Sequence, residues 1–347
     1  MNEFSAKKNF VDRLRNRSEL PNPSDLAFSI CQGKRDALAK AFTLVESTRL
    51  FDQEYMVQVL RELPKENKAS IRLGITGVPG VGKSTFIEAF SEVVLQEDGN
   101  KIAVLSIDPS SPITGGSILG DKTRMEKLSL HDRAFIRPTP AGTHLGGVAR
   151  ATALAIQLCE AAGYNLIFIE TVGVGQSEVE VHGMTDFFLL LMLAGAGDQL
   201  QGIKRGIMEL TDAMVITKAD GENKIQAMHA HAEYQAAFHL FPEREDAWIP
   251  QVFSVSSIEN KGLSEVWELL KKFDEQRSIG GIKFKKREAQ RLALFEKQAH
   301  EYLLDYFLHD EAVRIKFEQI KRDVLSGIKS PMEAVFEWMK EIKKTKF

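Results

Sequence analysis

Gly77-Val78-Pro79-Gly80-Val81-Gly82-Lys83-Ser84 reproduces the phosphate-binding signature G-x-x-x-x-G-K-[ST] in full. Phosphate chemistry requires these residue types at this spacing. Glycines let backbone N–H groups close around the oxygens, and a helix opening at Ser84 adds the positive end of its dipole. Lys83 is placed to meet the β- and γ-oxygens of a nucleotide, and Ser84 to coordinate magnesium. The surroundings fit, because an apolar run at 71–76 precedes the loop and a helical pattern at 84–95 follows it.

A second set of residues reads the base. Thr217-Lys218-Ala219-Asp220 follows the apolar run 213–217. An aspartate there accepts both the N1 and N2 hydrogens of guanine, which adenine does not offer, and Lys218 can lie against the ring. The usual pattern opens with Asn, so Thr217 leaves one loop-ordering hydrogen bond in question. Ser254-Val255-Ser256-Ser257 follows the last apolar run and can present a backbone amide to the guanine carbonyl.

The metal and the γ-phosphate need further groups. The run 166–169 ends in Glu170-Thr171-Val172-Gly173. Glu170 can hold a magnesium-bound water, and the Gly173 N–H can sense the γ-phosphate. Asp108 and Asp121 bracket much of a Pro/Gly/Ser-rich segment, 108–124, and are carboxylates within reach of a metal; a solvated loop is the alternative. One absence is informative. Ras-like GTPases place a glutamine directly after the strand-end glycine to orient the attacking water. Here Val174 follows Gly173, and Gln176 lies two residues further on. Unassisted hydrolysis is therefore expected to be slow, with a partner or second loop supplying the missing stabilisation.

Positioning these groups calls for an α/β fold of the P-loop NTPase kind, with a mostly parallel sheet flanked by helices. Candidate strands are 72–76, 102–107, 134–137, 166–170, 187–193, 213–217 and 251–254, with helical stretches at 146–162, 224–240 and 262–273. The ligand is expected beyond the carboxyl ends of the strands. Three regions separate: a helical N-terminal extension at 1–69, the nucleotide domain at 70–278 and a helical C-terminal arm at 279–347. In the arm Leu292, Phe295, Ala299, Tyr302, Leu303 and Tyr306 recur at helical spacing, and Ser330-Pro331-Met332-Glu333 has the form of a capping box. The apolar face either packs on its own domain or serves as a dimer arm.

Composition limits the partners. The chain has 347 residues, a formal net charge of −3 and two widely spaced cysteines, Cys31 and Cys159. That balance does not point to nucleic acid, and the cysteines are expected to be reduced core residues rather than a disulfide or metal pair. No membrane partner is expected, because no apolar run approaches a membrane span. The basic residues near the N-terminus are diluted by Glu3, Asp12 and Glu19, so the cytoplasm is the expected compartment.

Taken together, Gly77 to Thr85, Asp108-Pro109-Ser110-Ser111, the segments 115–125 and 170–176, and the segment 195–204 resemble the MeaB/ArgK family. Members of that family are GTPase chaperones of adenosylcobalamin-dependent methylmalonyl-CoA mutase. The resemblance covers the whole central region, and the helical ends suit the family's N-terminal extension and C-terminal dimerisation arm. It implies a homodimer that binds GTP, GDP and magnesium, hydrolyses GTP, and acts as a metallochaperone. Such a protein gates cobalamin loading, protects methylmalonyl-CoA mutase or a related acyl-CoA mutase, and is activated by that client. It also implies that Thr85 belongs to the nucleotide loop and that 195–204 is an additional switch loop. Asp198, Gln201 and Lys204 are then coupling residues, with Lys204 a cation that can offset developing phosphate charge. An ordinary loop and helix start is the alternative for 195–204.

Rival functions remain in view. An ATP-dependent kinase or ATPase linked to amino-acid transport, suggested by the ArgK label, conflicts with Asp220. A signal-recognition-type GTPase shares the run 217–221 but reads D-T-A-G-R where this chain has Glu170-Thr171-Val172-Gly173-Val174. Nickel insertion would need clustered Cys or His, whereas His229 and His231 face different ways on a helix.

Overall fold

The computed structural model describes residues 20–47, 49–65, 69–108, 125–140, 145–171, 177–195, 205–242, 244, 246–308 and 310–346. Seven strands form one parallel sheet: β1 (Ile71–Gly77), β2 (Ile102–Asp108), β3 (Ala134–Pro140), β4 (Leu166–Thr171), β5 (Phe187–Leu193), β6 (Ala213–Thr217) and β7 (Gln251–Ser254). Their order across the sheet is β3-β2-β4-β1-β5-β6-β7. The inner strands β4, β5 and β6 read as near-continuous apolar runs because both sheet faces are covered there. Side chains alternate between two cores with the period of the pleat. Ile102, Val104, Leu166 and Phe168 enter one core, while Ala103, Leu105, Ile167 and Ile169 enter the other.

The first core is closed by α4 (Lys83–Leu95), whose Phe86 and Phe90 stack at 5.3 Å, and by α10 (Leu263–Ile279). The second is closed by α1 (Pro23–Cys31), α2 (Arg35–Val45) and α3 (Leu50–Glu62) together with α6 (Leu145–Ala161). Asn22 caps α1 by accepting from the Ser24 N–H at 3.1 Å, and the Tyr55 hydroxyl donates to Pro21 O at 2.7 Å. The short helices α5 (Glu126–Leu130), α7 (Ser177–His182) and α8 (Arg205–Leu210) lead into β3, β5 and β6, and α9 (Lys224–Phe238) packs beside β7.

The amino ends of the strands hold a buried ion network. Arg287, near the start of α11 (Ile282–Leu308), is fully buried and donates to both Asp186 carboxylate oxygens at 2.8 and 2.6 Å and to Ser70 O at 2.9 Å. Arg72 grips Glu160 with two bonds of 2.9 and 3.0 Å, and Lys283 donates to Ser70 O at 2.7 Å. Pairing and hydrogen bonding of this kind offset part of the solvation the charges lose on burial.

The chain divides into two compact units, one ending at Arg287 and one beginning at Glu288. Residues 282–287 therefore fold with the sheet. In the second unit, α12 (Glu311–Leu325) and α13 (Pro331–Lys346) pack through Val313, Ile320 and Ala334, with the Phe317 and Trp338 rings 4.8 Å apart. Ser330 and Glu333 form the reciprocal capping box: the Ser330 N–H donates to Glu333 at 2.9 Å and the Glu333 N–H to Ser330 Oγ at 3.3 Å. Leu292, Phe295, Tyr302, Leu303 and Tyr306 of the same unit are exposed.

Candidate functional site

The parallel sheet brings the carboxyl ends of β1, β4, β6 and β7 to one edge. Gly77 ends β1 at the point where the chain turns away, and a Cβ there would meet Leu191 O at 2.5 Å, so only glycine fits. Gly82, at φ 95°, precedes α4 and frees its first N–H groups. Val78 packs against the core beneath the loop, Val81 is fully buried, and Pro79, Gly80 and Thr85 face solvent. Lys83 and Ser84 are half-buried at the mouth of the helix. The Lys83 ammonium donates to Gly77 O at 2.8 Å and lies 3.4 Å from Val78 O, so it is held over the loop where phosphate oxygens would compete for it.

The base-reading strand end is tied to this loop. Thr217 Oγ1 donates to Val81 O at 2.7 Å, with Met192 O at 3.2 Å. The hydroxyl thus supplies the loop-ordering bond that the missing asparagine put in question. Lys218 adopts φ 56° and its ammonium reaches Gly80 O at 3.0 Å, which brings the base-reading segment against the phosphate loop. Asp220 accepts the Ser256 hydroxyl at 2.6 Å, and Ser256 Oγ in turn accepts the Glu259 N–H at 3.0 Å. In the loop after β7 the Val255 N–H donates to Ile216 O at 2.8 Å and the Ser256 N–H to Lys261 O at 3.1 Å, so within 254–257 these two amides are engaged inside the protein. Ser256 acts through its side chain, and Ser254 Oγ lies 3.4 Å from His231 Nδ1.

Glu170 is the penultimate residue of β4, which is buried throughout, and has Ser106 Oγ 3.3 Å from its Oε2. Thr171 on the opposite face donates to Thr76 at 2.9 Å, locking the ends of β4 and β1 together. Ser106, Thr76 and Thr171 carry no signal in the sequence, because only strand register makes them neighbours. Asp108 ends β2. Asp121, Gly173 and Lys204 lie outside the described residues, as do 109–124 and 196–204.

Among the described residues, no group of three or more His, Cys, Asp or Glu side chains converges to hold a metal. Magnesium does not require one, since it keeps several waters and binds through one or two carboxylates plus substrate phosphates. A hydroxyl at the start of α4 and a buried carboxylate on the strand paired with β1 suit that donor set. A separate cavity of about 640 Å³, lined by Met208, Phe238 and Trp248 among others, opens at the amino ends of β6 and β7, the wrong end of the sheet for this chemistry.

A glycine-rich loop feeding a helix, a strand-end acid and a tethered aspartate after β6 on a parallel sheet define a P-loop nucleotide-binding protein. The family model "Methylmalonyl Co-A mutase-associated GTPase MeaB" matches residues 38–312, and the chain belongs to that family. GTPase ArgK of Escherichia coli is 43% identical over 312 residues, covering 89% of this chain and 93% of that protein. The mitochondrial methylmalonic aciduria type A homologue of Mus musculus is 43% identical over 325 residues, covering 90% of this chain and 78% of the mouse protein. The crystal structure of an LAO/AO transport system kinase superposes with a TM-score of 0.74 at 34% identity, covering 93% of this chain and 98% of that one. Among the described residues no helix is long and apolar enough to cross a membrane.

Proposed function

We propose that this protein is a slow, partner-activated GTPase that serves an adenosylcobalamin-dependent acyl-CoA mutase of the methylmalonyl-CoA type. It gates cobalamin loading and protects the mutase, in the cytoplasm, as a homodimer. The observation that carries the nucleotide reading is that the Ser256 hydroxyl holds the Asp220 carboxylate while Lys218, two residues before it, reaches Gly80 O of the phosphate loop. An aspartate so held pairs with guanine donors and is left unpaired against adenine. The mutase reading is supported by the family and by the name of the mouse relative.

In this reading Lys83 and the amides from Gly77 to Thr85 hold the phosphates. Ser84 and Glu170 hold magnesium, with Asp108 and Asp121 as further carboxylates, and Gly173 senses the γ-phosphate. Magnesium, when bound, neutralises charge on the β- and γ-oxygens. Thr217, Lys218, Asp220 and the turn at Ser254, Val255 and Ser256 hold the base. Lys204, on the loop 195–204, couples the client to hydrolysis. The arm 279–347 carries self-association, because the exposed face of Leu292, Phe295, Tyr302, Leu303 and Tyr306 matches what a helical interface buries.

GTP turnover with and without a purified cobalamin-dependent mutase tests the coupling. Stimulation is expected for the wild type and is expected to be largely lost in Lys204→Ala, with GDP affinity near normal. Equal stimulation of both would move the coupling to 108–124. Light scattering of the full chain carrying Phe295→Asp and Leu303→Asp is expected to give a monomer that still binds GDP; an unchanged dimer would place the interface elsewhere.

A further inference from the structure

We infer that Ser106 is a positioning residue for the metal-linked carboxylate, fixing which oxygen of Glu170 faces the magnesium shell. The inference rests on the reading of Glu170 given above. β2 and β4 pair in parallel with Ser106 opposite Glu170, so the two side chains leave the sheet on the same face. Periodicity identifies that face. Ile102 and Val104 precede Ser106 in steps of two, Leu166 and Phe168 precede Glu170, and all four lie in the core that contains Val81, Phe86 and Phe90. This is the face covered by α4, whose first turn carries Ser84. Two polar side chains therefore interrupt an apolar face at its carboxyl end, on the side from which the phosphate loop enters its helix.

Burial makes the pair consequential. Ser106 is 4% exposed and Glu170 8% exposed, and Ser106 Oγ lies 3.3 Å from Glu170 Oε2. A hydroxyl has one proton to donate, and an ionised carboxylate has only acceptors, so the bond can run in one direction alone. The donor fixes the carboxylate torsion, which a magnesium-bound water requires. Partners of this kind typically alter metal affinity by 10–100-fold when removed.

The test is the magnesium concentration that half-maximally slows release of a fluorescent N-methylanthraniloyl GDP from the full chain. It reads metal binding without hydrolysis. Ser106→Ala is expected to raise that concentration about tenfold, while GDP affinity in EDTA stays unchanged. Ser106→Cys, a near-isosteric weak donor, is expected to match Ser106→Ala, and Ser106→Thr, which keeps the hydroxyl, to restore the wild-type value. Glu170→Gln, measured in parallel, is expected to shift it further. A half-point within twofold of wild type in Ser106→Ala and Ser106→Cys, with Glu170→Gln displaced, overturns the inference and leaves the metal reading standing. That holds even if the melting temperature falls, since a packing role would lower it without moving the magnesium dependence. An unmoved Glu170→Gln overturns the metal role of Glu170 and the inference with it.

Discussion

The two ends of the sheet place charged side chains in opposite environments. At the carboxyl ends Lys83, Lys218 and Asp220 are half-buried or exposed and make bonds of 2.6–3.0 Å to the surrounding loops, with Glu170 the buried exception. At the amino ends Arg287, Asp186 and Glu160 are almost wholly buried and share partners across β1, β5, α6 and α11. Groups left accessible in this way can exchange an internal partner for a ligand atom at little cost. The mutually paired charges of the amino end cannot, because removing a partner leaves a buried charge unpaired, which is strongly destabilising. One end is therefore built to bind and the other to hold the fold rigid, although both are made from the same residue types.

The largest expected effect isolates the binding end. Asp220→Ala should collapse a preference for GTP over ATP of roughly 10⁴ towards parity, because discrimination of that size depends on matched donors and acceptors. Calorimetry with both nucleotides measures it, and a wild type that binds them equally would remove the guanine assignment. Next comes the opposite end. Arg287→Met leaves Asp186 buried without its guanidinium and is expected to cost about 3–5 kcal/mol in chemical denaturation, with GDP affinity of the folded protein almost unchanged. A large loss of GDP affinity would show that the two ends are not independent.

Lys83→Ala should do the reverse. GTP affinity is expected to fall about 10–100-fold, the worth of one charge-assisted contact, while the denaturation midpoint stays put. The smallest effect is one of pH. Burial holds the His182 imidazole down to about 4 from its ordinary 6.5, with the charges of Lys286 and Arg244 acting the same way and Asp212 opposing them. Between those values the unfolded chain binds the proton and the folded chain does not, so stability falls as pH drops from 6.5 towards 4. After allowance for partial solvent access the loss is expected to be about 2 kcal/mol. His182→Gln should flatten that slope. The steeper fall below it belongs to Asp186: burial works against its charged form, but hydrogen bonding and attraction from Arg287, with Arg72 and Lys283, hold its carboxyl below the usual range. Stability from Asp186 is present above the unfolded carboxylate range and is lost as pH falls through the lower folded value.

Much of the binding end was legible in the chain because its signals are local. Eight consecutive residues specify the phosphate loop, four the base reader, and each sits at the end of an apolar run that becomes a strand. Local spacing also gave the Ser330–Glu333 cap. It gives no access to contacts between distant segments. In the turn after β7 the amides of Val255 and Ser256 close onto Ile216 and Lys261, and the Ser256 hydroxyl grips Asp220. The shape of that turn depends on the isolated bridge between Ser256 and Lys261, which no short pattern encodes.

By itself the sequence determined the side chains available, namely a phosphate-loop signature, an aspartate after a strand where a guanine reader would stand and a strand-end acid, together with the strands that carry them. Those features depend on dihedral preferences and on the period-2 burial of single segments, which neighbouring residues set. Tertiary structure alone decided that Ser106 meets Glu170 across a separation of 64 residues, that Thr217 replaces an asparagine by reaching Val81, and that Arg287 of a helix beyond the sheet is buried beneath it. Strand order and register set these pairings, and register is fixed by the cooperative fit of whole strands rather than by any one residue along them.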